Sequence, residues 1–369
     1  MRSGAIFSII IFSILLTESL CADDFHAARA SRADLAESSF LTELNRHYRK
    51  IRTAVTPSVV HLLVFDVKTG EMSSGSGWIF REDGLIVTAA HVIGEGKVED
   101  IRVLCQFHDD TSASAEIIGR DKTFDVGVLK IKNSDTDTNR LALERSDARH
   151  LEPGDQVFAF GSPLGMNFSM AAGIVSHLDR SISLDPRLIQ IDADINQGNS
   201  GGPLVDVRGR LVGMILAIKS MSGGSVGIAF ALPSHMIEPL VQQLIAQGEI
   251  KPGFLGISYP LNNMKLYSEL QKLDYKGQGI PITAIDAESP AAIAGLLEKD
   301  IIVSVNGYAV SRFQDLRAIL WMQPAYSEIE ILVSRDGCLE YFYVQLKEAP
   351  IIEEEPEIES VLVAQTEPE

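Results

Sequence analysis

Ser200 sits in the run Asn196-Gln197-Gly198-Asn199-Ser200-Gly201-Gly202-Pro203, where flanking glycines let backbone N–H groups converge beside a single hydroxyl. Convergent N–H donors next to a serine are the parts of an oxyanion hole, and the chemistry they serve is acyl transfer. A serine hydroxyl is a weak nucleophile at neutral pH, so this turn needs a general base and a carboxylate that orients the base. Thr88-Ala89-Ala90-His91-Val92 offers the base at the end of the apolar run Leu85-Ile86-Val87, and Asp125 opens the strand-like run 125–131. Each residue alone has a plainer explanation: a core or surface histidine, a turn aspartate, a flexible glycine loop. As a set they read as nucleophile Ser200, base His91 and orienting Asp125. Gly198 and Ser200, joined by Asn199, are the candidate oxyanion donors.

Short β-rich runs broken by Gly, Asp and Pro fill the chain from about residue 52 to 233. Val59–Val64, Leu85–Val87, Ile101–Leu104, Gln156–Phe160 and Leu211–Leu216 are examples. This spacing predicts an all-β sandwich or barrel rather than βαβ units. From Pro233 to Gly248 the apolar residues Met236, Ile237, Leu240, Val241, Leu244 and Ile245 recur at helical spacing, which predicts a closing helix with Ser234 as its N-cap. Residues 248–253 read as a linker to a second unit of the chain. Within it, Phe313, Leu316 and Leu320 lie at helical spacing, as either a groove wall or a core-facing stripe.

The order His, Asp, Ser is that of chymotrypsin-type proteases and differs from the orders in subtilisin-like and α/β-hydrolase enzymes. Gly75-Ser76-Gly77-Trp78-Ile79, Thr88–His91, Asp125–Lys130, Gly161–Gly165, Gly173–Ser176, Gly198–Pro203 and Gly227–Ser234, in that order, resemble the HtrA/Deg family of serine proteases. The run Ser289–Gly307 resembles the helix, turn and strand at the centre of PDZ domains. The likeness extends from about residue 40 to 348. It implies a mainly β fold, a chymotrypsin-like double β-barrel followed by a C-terminal PDZ-like α+β domain.

The domain boundaries that follow are a signal peptide at 1–22, an N-terminal segment at 23–51, a trypsin-like protease domain at 52–248, a PDZ domain at 253–348 and an acidic disordered tail at 349–369. By the same resemblance Ile195 and Ile218 line the pocket for an aliphatic residue before the scissile bond. Phe254, Leu255, Gly256 and Ile257 receive a peptide C-terminal carboxylate, with the peptide adding a strand beside them. The family likeness further implies an ATP-independent endopeptidase of protein quality control acting on unfolded or misfolded proteins. It implies homotrimers, or multiples of them, assembled through the segment around Phe40 to Tyr48. Two alternatives stay open: a membrane-anchored, site-specific stress-signalling protease, and a peptide-binding chaperone with little proteolytic activity. Trp78 after the Gly-Ser-Gly run and Asp194, in place of a small apolar residue, depart from the family pattern; Asp194 is a candidate polar contact to a regulatory loop.

The remaining composition bounds these readings. A formal net charge of -18 over 369 residues argues against nucleic acid or an anionic membrane surface as partner. Arg2 followed by the apolar stretch 5–16 predicts an export signal that is too short to span a bilayer, cleaved near Cys21 or Ala22, and the family resemblance implies the periplasm as destination. An uncleaved anchor in the inner membrane, facing the periplasm, ranks second, and bulky Leu20 argues against a lipid-modified Cys21. Cys105 and Cys338 fall in different expected domains, so two buried structural thiols are expected rather than a disulfide. His61 and His108 read as structural. No metal constellation, phosphate loop or dinucleotide fingerprint is present, so no cofactor is expected.

Overall fold

Alternation of apolar and polar residues produces strands here, and the strands close on themselves. The computed structural model describes residues 39–132, 140–162, 168–180, 188–196, 198–216, 227–260, 263–273 and 275–349. Six strands, β1 (Val59–Asp66), β2 (Met72–Arg81), β3 (Leu85–Thr88), β4 (Ile101–Gln106), β5 (Ser112–Asp121) and β6 (Val126–Ile131), form a closed antiparallel barrel in the order β1-β2-β3-β6-β5-β4. Along β4 the period of two is clean, with Ile101, Val103 and Cys105 inward and Arg102, Leu104 and Gln106 outward.

A second closed barrel, ordered β10-β11-β12-β9-β8-β7, is built from β7 (Gln156–Gly161), β8 (Ser169–Arg180), β9 (Leu188–Ile191), β10 (Pro203–Val205), β11 (Leu211–Leu216) and β12 (Ala229–Pro233). Val157, Val175, Ile189, Ile191, Leu204, Val212 and Ile215 fill it. The double β-barrel expected from the sequence is therefore the architecture the chain adopts.

Helices punctuate this frame. The amphipathic α1 (Ser39–Val55) lies mostly in a first compact unit, residues 1–54, with Phe40 and Leu41 exposed; residues 55–369 form the second unit. A single turn, α2 (Ala90–Ile93), follows β3. The closing helix α3 (Ser234–Gln247) buries Met236, Ile237, Leu240, Val241 and Leu244, and ends at Gly248 in the left-handed conformation at φ 77°. Its N-cap is Pro233, not the expected Ser234, whose hydroxyl instead donates to the Ser146 carbonyl at 2.6 Å and accepts from Ala148 N–H at 3.1 Å. A tertiary partner has taken the side chain that would have capped the helix.

The C-terminal part comprises β13 (Gly253–Phe254), β14 (Ile257–Ser258), α4 (Asn263–Lys272), β15 (Ile280–Pro281), β16 (Ala284–Ile285), α5 (Pro290–Ala294), β17 (Ile301–Val305), β18 (Tyr308–Ala309), α6 (Phe313–Met322), β19 (Glu328–Arg335), β20 (Cys338–Gln345) and β21 (Lys347–Glu348). Its main sheet runs β15-β17-β19-β20 with β18 paired to β17. Ser289 caps α5 by accepting from Ala292 N–H at 3.2 Å, and Gly295 closes it at φ 85°. Asp300, 1% exposed, is held bidentately by Arg335 at 2.7 and 2.6 Å.

The two thiols differ, contrary to expectation. Cys105 is buried, and burial pushes its thiol up to about 12, whereas Cys338 is exposed because it begins an edge strand. His61 on β1 is buried, and its Nδ1 has no hydrogen-bond partner among the described residues. Desolvation lowers its pKa against the opposing hydrogen bond to the Gly75 backbone.

Two stability predictions follow from buried polar groups. His61 is harder to protonate in the folded chain than in the unfolded one. The unfolded state therefore gains a proton first as pH falls below about 6.5, and stability declines by at most about 1.4 kcal/mol per pH unit from this group. Urea midpoints measured from pH 7 to 5 should fall more steeply for the parent than for His61→Gln. Arg335→Met leaves the Asp300 carboxylate buried and unpaired, at an expected loss of about 3 kcal/mol. Thermal unfolding should show Asp300→Leu/Arg335→Met recovering part of that loss; a double variant no more stable than Arg335→Met would refute the pairing account.

Candidate active site

His91 and Asp125 meet because their strands pair. Thr88, the end of β3, is registered against Gly127 on β6, so the turn after β3 and the residue before β6 share one end of the first barrel. His91 Nδ1 lies 2.6 Å from Asp125 Oδ2, and the His91 backbone N–H donates to Asp125 Oδ1 at 2.9 Å. One carboxylate thereby fixes both the ring and the main chain of the histidine. Asp125 adopts a left-handed φ of 54°, and its carbonyl accepts from Ala90 N–H at 3.1 Å.

The turn leading into Asp125 has its own anchor. Asp121 Oδ1 accepts from Phe124 N–H at 2.7 Å, and burial is the main cause that raises the Asp121 pKa, with the charge of Asp125 adding to it. Neither Asp121 nor Phe124 was singled out in the sequence. An Asp three residues before an apolar residue is the one local signal, that of an Asx turn.

Ser200, 7% exposed, follows the glycine turn between β9 and β10. Gly198 has φ 102° and Gly201 φ 78°, and a Cβ on Gly201 would lie 2.3 Å from the Ser76 carbonyl oxygen and from Thr88 Oγ1, so only glycine fits there. Among the described residues the N–H groups of Gly198 and Ser200 donate no hydrogen bond. That of Asn199 donates to the Asn196 carbonyl at 3.0 Å, which removes Asn199 from the expected donor set in this state. The geometry thus offers two N–H groups to an incoming oxyanion. Ser200 Oγ takes part in no hydrogen bond among the described residues, and such contacts commonly tighten only when substrate is bound.

Ile195 is 1% exposed within the second-barrel core, so its side chain offers no open surface in this state. Ile218 and Gln197 lie outside the described residues, as do residues 1–38 and 350–369 of the expected signal, N-terminal segment and tail. Asp194 is exposed. No group of His, Cys, Asp or Glu among the described residues is placed to hold a metal ion, and no described helix is long and apolar enough to cross a membrane.

A groove of about 520 Å³ runs between β14 and α6. Phe254, Leu255, Gly256 and Ile257 line it, and the N–H groups of Leu255 and Gly256 donate no hydrogen bond among the described residues. Their carbonyls are tied to Ala291 N–H at 3.0 Å and Asp286 N–H at 3.1 Å, which holds the loop in shape. The opposite wall divides between the two readings of the helical stripe. Leu316 is fully buried in the domain core and Phe313 is buried too, while Arg317, Leu320 and Trp321 line the groove. Residues 249–251, expected as bare linker, also border it.

Trp321 has a second partner. Its ring meets Phe124 edge-on at 5.4 Å between centroids, while the Arg317 guanidinium stacks 4.9 Å above it. The groove wall is thus in contact with the residue preceding Asp125.

Residues 75–214 match the family model of the trypsin-like peptidase domain, and residues 282–335 match that of the PDZ domain. The chain is 36% identical over 270 residues to the periplasmic serine endoprotease DegP of Escherichia coli (strain K12), covering 72% of this chain and 55% of that protein. It spans about half the length of that relative. A probable periplasmic serine endoprotease, DegP-like, from Chlamydia muridarum is 32% identical over 360 residues, with 84% of this chain and 70% of the relative covered. Among solved structures, the HtrA-type protease AlgW with a tripeptide superposes with a TM-score of 0.65 at 28% identity, over 82% of this chain and 97% of AlgW. A serine endoprotease from Yersinia pestis gives 0.56 at 26% identity, over 82% of this chain and 98% of that one. With barrels, PDZ unit and 36% identity over 72% of the chain in agreement, the chain belongs to the HtrA/DegP family of serine endoproteases.

Proposed function

We propose that this protein is an exported, ATP-independent serine endopeptidase of protein quality control. The carrying observation is the His91–Asp125 pair, fixed by two hydrogen bonds, in a chain whose Gly198 and Ser200 N–H groups are both unengaged. Ser200 Oγ attacks a peptide carbonyl while His91 Nε2 accepts its proton. The developing oxyanion takes the Gly198 and Ser200 N–H groups, and the imidazolium is stabilised by Asp125. His91 then protonates the leaving amine, and water repeats the sequence to release the acyl group. Substrate enters as an extended strand beside Leu216, which restricts cleavage to unfolded or flexible segments, with Ile195 and Ile218 behind an aliphatic-preferring pocket.

The groove beside Phe254–Ile257 receives a peptide C-terminus, its carboxylate on the Leu255 and Gly256 N–H groups. The AlgW structures, solved with a tripeptide and a decapeptide, support this reading. The Trp321–Phe124 contact gives groove occupancy a packed path to Asp125. Relatives named as periplasmic support export to that compartment, and exposed Phe40 and Leu41 on α1 support trimer contacts there. The unbonded Ser200 Oγ favours a second reading, a peptide-binding chaperone whose hydrolysis is slow until a ligand tightens the site.

Unfolded casein should be fragmented by the chain beginning after Ala22, and Ser200→Ala should abolish fragmentation while still suppressing aggregation of an unfolded protein. Suppression without fragmentation in the parent would favour the chaperone reading. A hydrophobic C-terminal peptide should stimulate cleavage. Phe124→Leu should bind that peptide with a Kd within about twofold of the parent yet lose most of the stimulation; full stimulation in this variant would sink the ring-contact path.

A further inference from the structure

We infer that Ser76 is a positioning residue that sets the two oxyanion donors from the opposite barrel. It lies on β2 of the first barrel and is fully buried. Its hydroxyl donates to the Gly198 carbonyl at 2.6 Å and accepts from Ser162 N–H, just past β7, at 2.9 Å. Its backbone N–H donates to the Ser200 carbonyl at 2.9 Å, and its own carbonyl accepts from Thr88 Oγ1 at 2.6 Å. Every polar group of Ser76 is therefore committed, and two of the four bonds end on the glycine turn.

Those two bonds fall on the peptide units that flank the free donors. The unit joining Gly198 to Asn199 is held at both ends, its carbonyl by the Ser76 hydroxyl and its N–H by the Asn196 carbonyl. The unit joining Ser200 to Gly201 is likewise held, its carbonyl by Ser76 N–H and its N–H by the Ile215 carbonyl at 2.8 Å. Between them lies the unit bearing the Ser200 N–H, whose Asn199 carbonyl accepts from Gly202 N–H at 2.9 Å. Gly198, at φ 102°, has wide conformational freedom in a free chain, so its N–H needs an external restraint to hold one direction. The Ser76 hydroxyl supplies that restraint on the carbonyl side. An oxyanion hole stabilises charge only if its dipoles are aimed before charge develops, so loss of this bond weakens transition-state binding in particular.

The assignment rests on the endopeptidase reading and is tested beside it, on the mature full chain with unfolded casein and with a peptide boronate of aliphatic sequence. Ser76→Ala keeps the backbone bond to Ser200 and loses only the hydroxyl. Its kcat should fall about 10- to 100-fold with KM within twofold, less than the loss of a donor itself, and boronate affinity should fall by the same factor. Val103→Ala, a core truncation on β4, controls for destabilisation and should leave the boronate affinity unchanged. Ser76→Cys keeps the volume with a weak donor, should show a smaller loss in the same direction, and serves if the alanine variant does not fold. A kcat within twofold of the parent, a loss confined to KM, or an equal loss in Val103→Ala would overturn the assignment. A parent that cleaves nothing overturns the endopeptidase reading, and the assignment with it.

Discussion

The bond from Ser76 N–H to the Ser200 carbonyl, 2.9 Å long, joins the two barrels at the point where the candidate chemistry lies. His91 and Asp125 belong to the first barrel and Ser200 to the second, so no local element can hold all three. Their relative placement depends on how the barrel ends abut. Gly201 and Gly202 permit that approach: a Cβ on Gly201 would strike the Ser76 carbonyl at 2.3 Å, and one on Gly202 would press on the Ser76 Cβ at 3.2 Å as well as on the Phe160 carbonyl of its own barrel at 2.1 Å. The glycines after Ser200 are thus required by close packing between barrels as well as by turn geometry.

Around this junction the backbone N–H groups of Ser76, Asn199, Gly201 and Gly202 are all paired, which is the usual requirement for buried N–H and C=O groups. Against that background the unengaged N–H groups of Gly198 and Ser200 stand apart, and so do those of Leu255 and Gly256 in the groove. Both pairs sit beside a glycine at positive φ, Gly198 at 102° and Gly256 at 75°. In each, neighbouring carbonyls are tied down while the donors keep no partner among the described residues. The same device serves two different anions in the proposed function, a transient oxyanion at one site and a peptide carboxylate at the other. Rigidity of the surrounding peptide units is what keeps such donors from finding internal partners.

The two sites also touch. Trp321 contributes one face to the groove and one edge to Phe124, whose N–H is tied to Asp121 and whose next residue is Asp125. A left-handed φ of 54° at Asp125 is sustained only by surrounding constraints, and Phe124 is one of them. Packing at the groove therefore extends to the residue before Asp125.

Much of this was legible in the sequence for identifiable reasons. Period-two runs such as Ile101–Leu104 carried the strands, a single hydroxyl in a glycine turn marked Ser200, and the helical stripe 236–244 marked the closing helix. What failed depended on tertiary partners. Ser234 has the composition of an N-cap, but Ser146 and Ala148 took its hydroxyl. Leu316 and Leu320 share a helical stripe and both enter the core, and only the placement of α6 lets Leu320 border the groove as well. Asn199 looked like a third donor until the turn closed on Asn196. Ser76 and Trp321 were quoted or passed over without a role, since Gly198 and Ser200, which Ser76 holds, and Phe124, which Trp321 meets, lie more than a hundred residues away in the chain. The sequence by itself determined residue chemistry, strand and helix periods and the left-handed turn positions, because these depend on neighbours within a few residues. Only the tertiary structure decided which N–H groups stay free and which side chains hold them so, because hydrogen-bond partners are allotted by contacts between distant segments.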